Sequence, residues 1–131
     1  MNSVWVVEDD LDMQQAVKLM LTMMGYSVHF HNNARSAAKH LLEGAVPDLI
    51  LLDIMMPEVT GIDFLEFLRR RSDYKHIPVV MLSAESTDVQ VDEAMSLGAD
   101  GFVFKPVTFE ELEGAIQGAF AAHGVDPHQL K

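Results

Sequence analysis

Several of the polar side chains in this sequence stand where apolar runs end. In LILLDIMMPEVTG, residues 49–61, a hydrophobic run stops on a single acid, Asp53. An ionised carboxylate at the tip of a buried segment is costly unless other groups hold it, so the rest of the chain should supply them. The first apolar run ends in Glu8, Asp9 and Asp10, the fourth in Ser83, and the fifth in Lys105 followed by Pro106. Clustered carboxylates repel one another unless a cation sits among them. Oxygen ligands with no His or Cys nearby in sequence favour magnesium, with manganese able to take its place, over zinc. Glu8 and Asp9 are placed at the metal with Asp53, whereas Asp10 or Asp12 can instead cap the helix that follows. Lys105 is the only Lys or Arg between Lys75 and Lys131. After a buried strand, such a lysine can pair with Asp53 and also contact phosphate oxygens as a point charge. With Ser83 as a hydroxyl donor, this set is equipped for phosphoryl transfer to a carboxylate, a reaction driven by positioning and charge neutralisation.

The elements that must position these groups follow from two alternating periods. Short β-rich runs at 4–7, 27–30, 49–52, 79–82 and 102–104 are bounded by Gly, Pro or acidic residues. Between them, Met13, Val17, Met20, Leu21 and Met24 share one helical face closed by Gly25, and Leu112, Ile116, Ala119 and Phe120 repeat the arrangement. The nine methionines read as packing rather than as a soft-metal site. The segment 87–98 has the weakest apolar face and is expected to pack least firmly. Strands alternating with helices predict an α/β fold, a parallel sheet with helices on both faces. In such sheets, ligands bind beyond the carboxyl ends of the strands. Every strand but the second delivers a polar group to that edge.

Composition limits the classes of function. The 131 residues are 49% hydrophobic and 22% charged, ordinary for one globular domain. With no cysteine there is no disulfide scaffold, thiolate metal site or Cys nucleophile, which fits a reducing, cytoplasmic setting. The opening MNSVWVVEDD lacks a basic n-region, and no apolar run is long enough for a membrane span. A formal net charge of -11 opposes binding to nucleic acid or anionic lipid.

The pieces VVEDD, LLDIMMPEVTG, VVMLSAE, GADGF and FVFKP, in this order and spacing, resemble the receiver domain of two-component response regulators. The resemblance covers about residues 4–122, with 123–131 as a tail or the start of a linker. It implies a doubly wound, flavodoxin-like fold of five parallel strands in order 2-1-3-4-5 flanked by five helices. It implies that Asp53 accepts a phosphoryl group from a phosphohistidine on a sensor histidine kinase or histidine phosphotransfer protein. By match, Glu8, Asp9, Asp53 and the backbone carbonyl of Met55 would hold magnesium, Ser83 and Lys105 would grip the phosphoryl oxygens, and the Lys105-Pro106 bond would be cis. Ser83 and Phe102 would be the switch, the ring moving into space vacated beneath the fourth strand. The surface of the fourth helix, fifth strand and fifth helix would then change shape toward a downstream output protein or domain. The sequence departs from the family in three places. Phe102 stands where tyrosine is frequent and Ser83 where threonine is commoner. Residues 77–104 contain no Lys or Arg, so the cross-dimer ion pairs of one large DNA-binding subfamily are not expected.

Other readings compete. An aspartyl-nucleophile phosphatase would also place Asp at a strand end, but it usually has a second acid two residues on, where Met55 stands here. A flavodoxin-like cofactor carrier would need a phosphate loop after the first strand, where this chain has acids. A degenerate receiver acting as a phosphate-independent adaptor is the main alternative. His29 and His31 share a face of the second strand but lack an evident third ligand. Arg69, Arg70 and Arg71 are expected as a solvated helix end complementing the dipole. Met55 and Glu85 are expected to flank the site.

Overall fold

The structure, a computed structural model, describes residues 2–56, 58–84 and 88–124. Ten elements alternate along the chain: β1 Ser3–Val7, α1 Leu11–Met23, β2 Ser27–His31, α2 Ala34–Leu42, β3 Leu49–Asp53, α3 Gly61–Arg70, β4 Val79–Ser83, α4 Asp88–Ser96, β5 Gly101–Phe104 and α5 Phe109–Ala122. All strand pairs are parallel and the order is β2-β1-β3-β4-β5, the doubly wound arrangement expected. The strands β3 and β4 each reach one residue beyond the apolar run. Asp53 pairs in register with Leu82, and Ser83 with Phe104, so both polar groups sit on the ladder itself rather than in a loop.

Alternation within each strand explains the two cores. Val4, Val6, Leu49, Leu51, Val80 and Leu82 face α1 and α5, meeting Val17, Leu21, Ile116 and Phe120. Trp5, Val7, Ile50, Leu52, Val79 and Met81 face the other way, onto Leu41 of α2, Phe64, Leu65 and Leu68 of α3 and Ala94 of α4. Because both faces are covered, the central strands are apolar throughout rather than alternating. The buried stripe of α1 is Gln14, Val17 and Leu21, with Met13, Met20 and Met24 at its half-buried flank. Among the described side chains of α4 only Ala94 is buried, in line with its weak apolar face. Val89 is 75% and Met95 45% exposed. The predicted start of that helix at Thr87, together with Glu85 and tail residues 125–131, lies outside the described residues.

Local signals close the helices. Asp10 caps α1 by accepting from the amides of Asp12 and Met13, which settles the choice between the two acids. Thr60 and Asp63 form a capping box at α3, and Thr108 caps α5. Gly25, at φ 93°, ends α1 in the left-handed region, as its place in the sequence predicts. Gly61 is required by proximity: a Cβ there would lie 2.2 Å from the carbonyl oxygen of Asp53 and 2.8 Å from the Cα of Ile54. Its amide donates to the Ile54 carbonyl.

The arginine run departs from expectation. Arg70 pairs with Glu66 and Arg71 lies over the rings of Phe67 and Tyr74, but Arg69 is no solvated end. Its guanidinium donates to the carbonyls of Gly98 and Ile77 and pairs with Asp100 at 3.0 Å. The same Asp100 oxygen accepts from the Val79 amide and lies 2.9 Å from His123 Nε2. One carboxylate thus joins α3, β4, β5 and the end of α5 at the sheet edge opposite Asp53. A planar five-donor group can reach several carbonyls at once, which helix position alone does not reveal.

Three outcomes are expected. Gly61→Ala forces α3 away from the end of β3 and should cost about 2 to 3 kcal/mol in chemical unfolding. Asp100→Ala leaves Arg69 largely buried without its counter-charge and should cost about 3 kcal/mol. His31 is buried, and desolvation, reinforced by His40 and His29, lowers its pKa to about 4. A depressed histidine stabilises the fold fully above the unfolded value of 6.5 and loses that contribution as pH falls toward 4. Between pH 7 and pH 5 the wild type should therefore lose about 2 kcal/mol more stability than His31→Phe.

Candidate functional site

The five groups singled out by their position at strand ends converge at the carboxyl edge of β1, β3, β4 and β5. Glu8 follows β1 and is fully buried, and its amide donates to the His31 carbonyl of β2. Asp9 is exposed, with its amide donating to Glu8 Oε2 at 3.1 Å. Asp53 ends β3 at 2% exposure. Lys105 leaves β5 and returns its ammonium across the edge, 2.8 Å from Glu8 Oε1 and 3.5 Å from Asp53 Oδ1. The lysine thus reaches Asp53 as expected, although its nearer partner is Glu8. Ser83 is buried at the end of β4, and its carbonyl accepts from the Lys105 amide at 2.8 Å. The Lys105-Pro106 bond is cis.

The carboxylates have the geometry of a cation cradle. Glu8, Asp9 and Asp53 each present an oxygen within 4.8 Å of the other two. Burial, together with the neighbouring Asp53, raises the Glu8 pKa against the opposing pull of Lys105. Lys105 shows the complementary effect: burial alone would lower it, but Glu8 and Asp53 together raise it. Three carboxylates face one ammonium in this cluster, so negative charge is in excess. A hard divalent ion fits that excess and those oxygen donors. The Met55 amide donates to Asp53 Oδ1 at 3.3 Å, which brings that peptide against the cluster, while the Met55 side chain is exposed.

Phe102 lies on β5, half-buried, with its ring centroid 5.0 Å from that of Phe104, which is partly exposed. It packs against the same core as Met81, its register partner on β4.

Two supports of the site carry little signal in the sequence. Gln14 is buried on α1 and donates to the Glu8 carbonyl and, at 3.0 Å, to Asn32 Oδ1, fixing the end of β1 against the loop after β2. The signal for it is a lone amide at i-3 from Val17 on an otherwise apolar face. Gly61 is the other, since only its missing side chain lets α3 approach the Asp53 carbonyl.

The comparisons agree with this geometry. The family described as "Response regulator receiver domain" matches residues 4–117. The chain is 32% identical over 115 residues to chemotaxis protein CheY of Pseudomonas aeruginosa, covering 88% of this chain and 93% of that protein. It is 36% identical over 112 residues to a probable transcriptional regulator, ycf27, of Cyanidium caldarium, covering 86% of this chain but 43% of that one. It spans about half or less of the length of the transcriptional regulators heading these matches. Among solved structures, Vibrio cholerae chemotaxis protein CheY4 superposes with a TM-score of 0.81 at 32% identity, covering 89% of this chain and 97% of that one. The receiver domain of a histidine kinase from Syntrophus aciditrophicus gives 0.82 at 29%, covering 93% and 92%. With the strand order, the converging acids and the strand-end lysine in agreement, the chain belongs to the receiver domain family of response regulators.

Proposed function

We propose that the chain is a phosphoacceptor whose nucleophile is Asp53, and that it takes its phosphoryl group from a phosphohistidine on a sensor histidine kinase or phosphotransfer protein. The observation that carries this reading is the position of Asp53: buried at a strand tip, 3.5 Å from the Lys105 ammonium and grouped with Glu8 and Asp9. An Asp53 oxygen attacks phosphorus, the N-P bond of the donor breaks, and the imidazole leaves with the electron pair. The product is an acyl phosphate on Asp53. Attack of water on phosphorus would later release inorganic phosphate and restore the carboxylate, which gives the domain a self-limiting signal.

The charges decide what each residue does. Lys105 is held across the edge by Glu8, so its ammonium stands ready to neutralise phosphoryl oxygens without having to be recruited. Ser83, at the end of β4, would donate its hydroxyl to the same oxygens. Glu8, Asp9, Asp53 and the Met55 carbonyl would hold magnesium, with manganese able to replace it, and the ion when bound supplies Lewis-acid neutralisation of the incoming phosphoryl charge.

Phosphorylation turns one carboxylate into a group with more charge and more acceptor oxygens. Ser83 moving toward it would open space beneath β4, and the ring of Phe102, half-buried against the core that holds its register partner Met81, would turn into it. The surface of α4, β5 and α5 would then change, with loosely packed α4 the part that yields. The output is read from that surface by another protein or domain.

Incubation with acetyl phosphate and measurement of intact mass tests the reading. One phosphoryl group should be gained in the presence of magnesium, with little or none after chelation. Lys105→Ala should be modified at least about tenfold more slowly, since it removes a charge aimed at the transferred group. No gain by the wild type, while a control receiver is modified alongside it, would overturn the phosphoacceptor reading in favour of a phosphate-independent adaptor.

A further inference from the structure

The edge strand β2 carries His29 and His31 on one face, and Trp5 of β1 stands in register beside His29. The helix α2 packs over that face and brings a third imidazole, His40, the ligand that the strand alone lacks. All three line one cleft of about 380 Å³ with Trp5 and Ser36. The ring centroids of His31 and His40 are 4.9 Å apart.

The hydrogen bonds engage the inner nitrogens of His31 and His40 rather than the outer ones. His31 is 6% exposed, and its Nε2 is buried with no hydrogen-bond partner among the described residues. Such an atom costs stability unless something occupies it. Its Nδ1 lies 3.2 Å from Ser36 Oγ. His40 Nδ1 lies 2.8 Å from the Ser36 carbonyl, and a carbonyl only accepts, so Nδ1 carries the proton and Nε2 keeps its lone pair. Partners that fix the tautomer in this way are what orient imidazoles for metal binding.

We propose that His29, His31 and His40 form a second metal site, specific for a divalent transition ion of the zinc class and separate from the carboxylate cluster. The donor chemistry divides the two: imidazole suits zinc, copper and nickel, whereas the oxygens of Glu8, Asp9 and Asp53 suit magnesium. The histidine site is not preassembled. Among the described residues only Glu8, Asp9 and Asp53 bring three ligand atoms within 4.8 Å of one another. His29 and His40 are exposed, so their rings can turn onto the buried His31 nitrogen as the ion arrives. The bound ion would tie β2 to α2 at the edge of the sheet and stabilise the fold by mass action.

Trp5, the sole tryptophan, reports on this cleft directly, with its ring centroid 4.4 Å from that of His31 and 6.3 Å from that of His40. The full chain, in excess magnesium, is titrated with copper(II) while Trp5 emission is followed, and with zinc(II) in a calorimeter. The expected results are saturable quenching, one zinc per chain and a melting temperature that rises with zinc. His29→Ala and His40→Ala, both at exposed positions, should each weaken binding at least tenfold, whereas Asp53→Asn should leave it unchanged. Equal affinity in the wild type and both histidine variants, loss of binding in Asp53→Asn, or no saturable binding would overturn the proposal.

Discussion

The ammonium of Lys105, held between Glu8 and Asp53, is the interaction on which the working edge of this molecule depends. Three acids are brought together by topology, because β1 and β3 are neighbours and each ends in carboxylate. Their mutual repulsion is only partly offset by one lysine, and the burial of Glu8 makes the remaining imbalance expensive. An edge left in this condition favours a hard cation, which would in turn offset the charge of an incoming phosphoryl group. The proposed chemistry would follow from this incomplete neutralisation, in which one lysine faces three carboxylates.

Rigidity on both sides of the sheet keeps that imbalance in place. Near the site, Gln14 holds the Glu8 carbonyl and Gly61 lets α3 press against the Asp53 peptide, so the backbone beneath each acid is supported. At the opposite edge, Asp100 and Arg69 bind α3, β4 and β5 together. Between these two clamps α4 is the poorly buried element, with Val89 and Met95 facing solvent. On the proposed phosphoacceptor reading, a signal arising at Asp53 would find α4 easier to displace than the better buried α3, and so would reach the surface formed with β5 and α5.

The sequence makes some of this plain and conceals the rest for physical reasons. Strand-end acids and the solitary Lys105 are legible because a polar group that closes a buried apolar run is costly there unless it has work to do. Strand order and the placement of the site at the carboxyl edge follow from the alternation of periods and the resemblance together. The Asp10 cap stays open between two acids in the sequence, since either spacing satisfies free amides and only the backbone decides. The role of Arg69 is hidden because its helix position gives no hint that three carbonyls and a carboxylate from other elements lie within reach. The histidine cleft is half visible: β2 shows His29 and His31, but His40 joins them only through the packing of α2.

Everything proposed for this edge requires that Asp53 itself carry the phosphoryl group. Borohydride reduction of protein treated with acetyl phosphate and magnesium, followed by peptide mapping, tests it most directly, because an acyl phosphate is reduced to the alcohol while a free carboxylate is untouched. Homoserine is expected at position 53, with unmodified aspartate at positions 9 and 10. Reduction at another acid, or phosphate retained on Ser83 with position 53 unchanged, would contradict it.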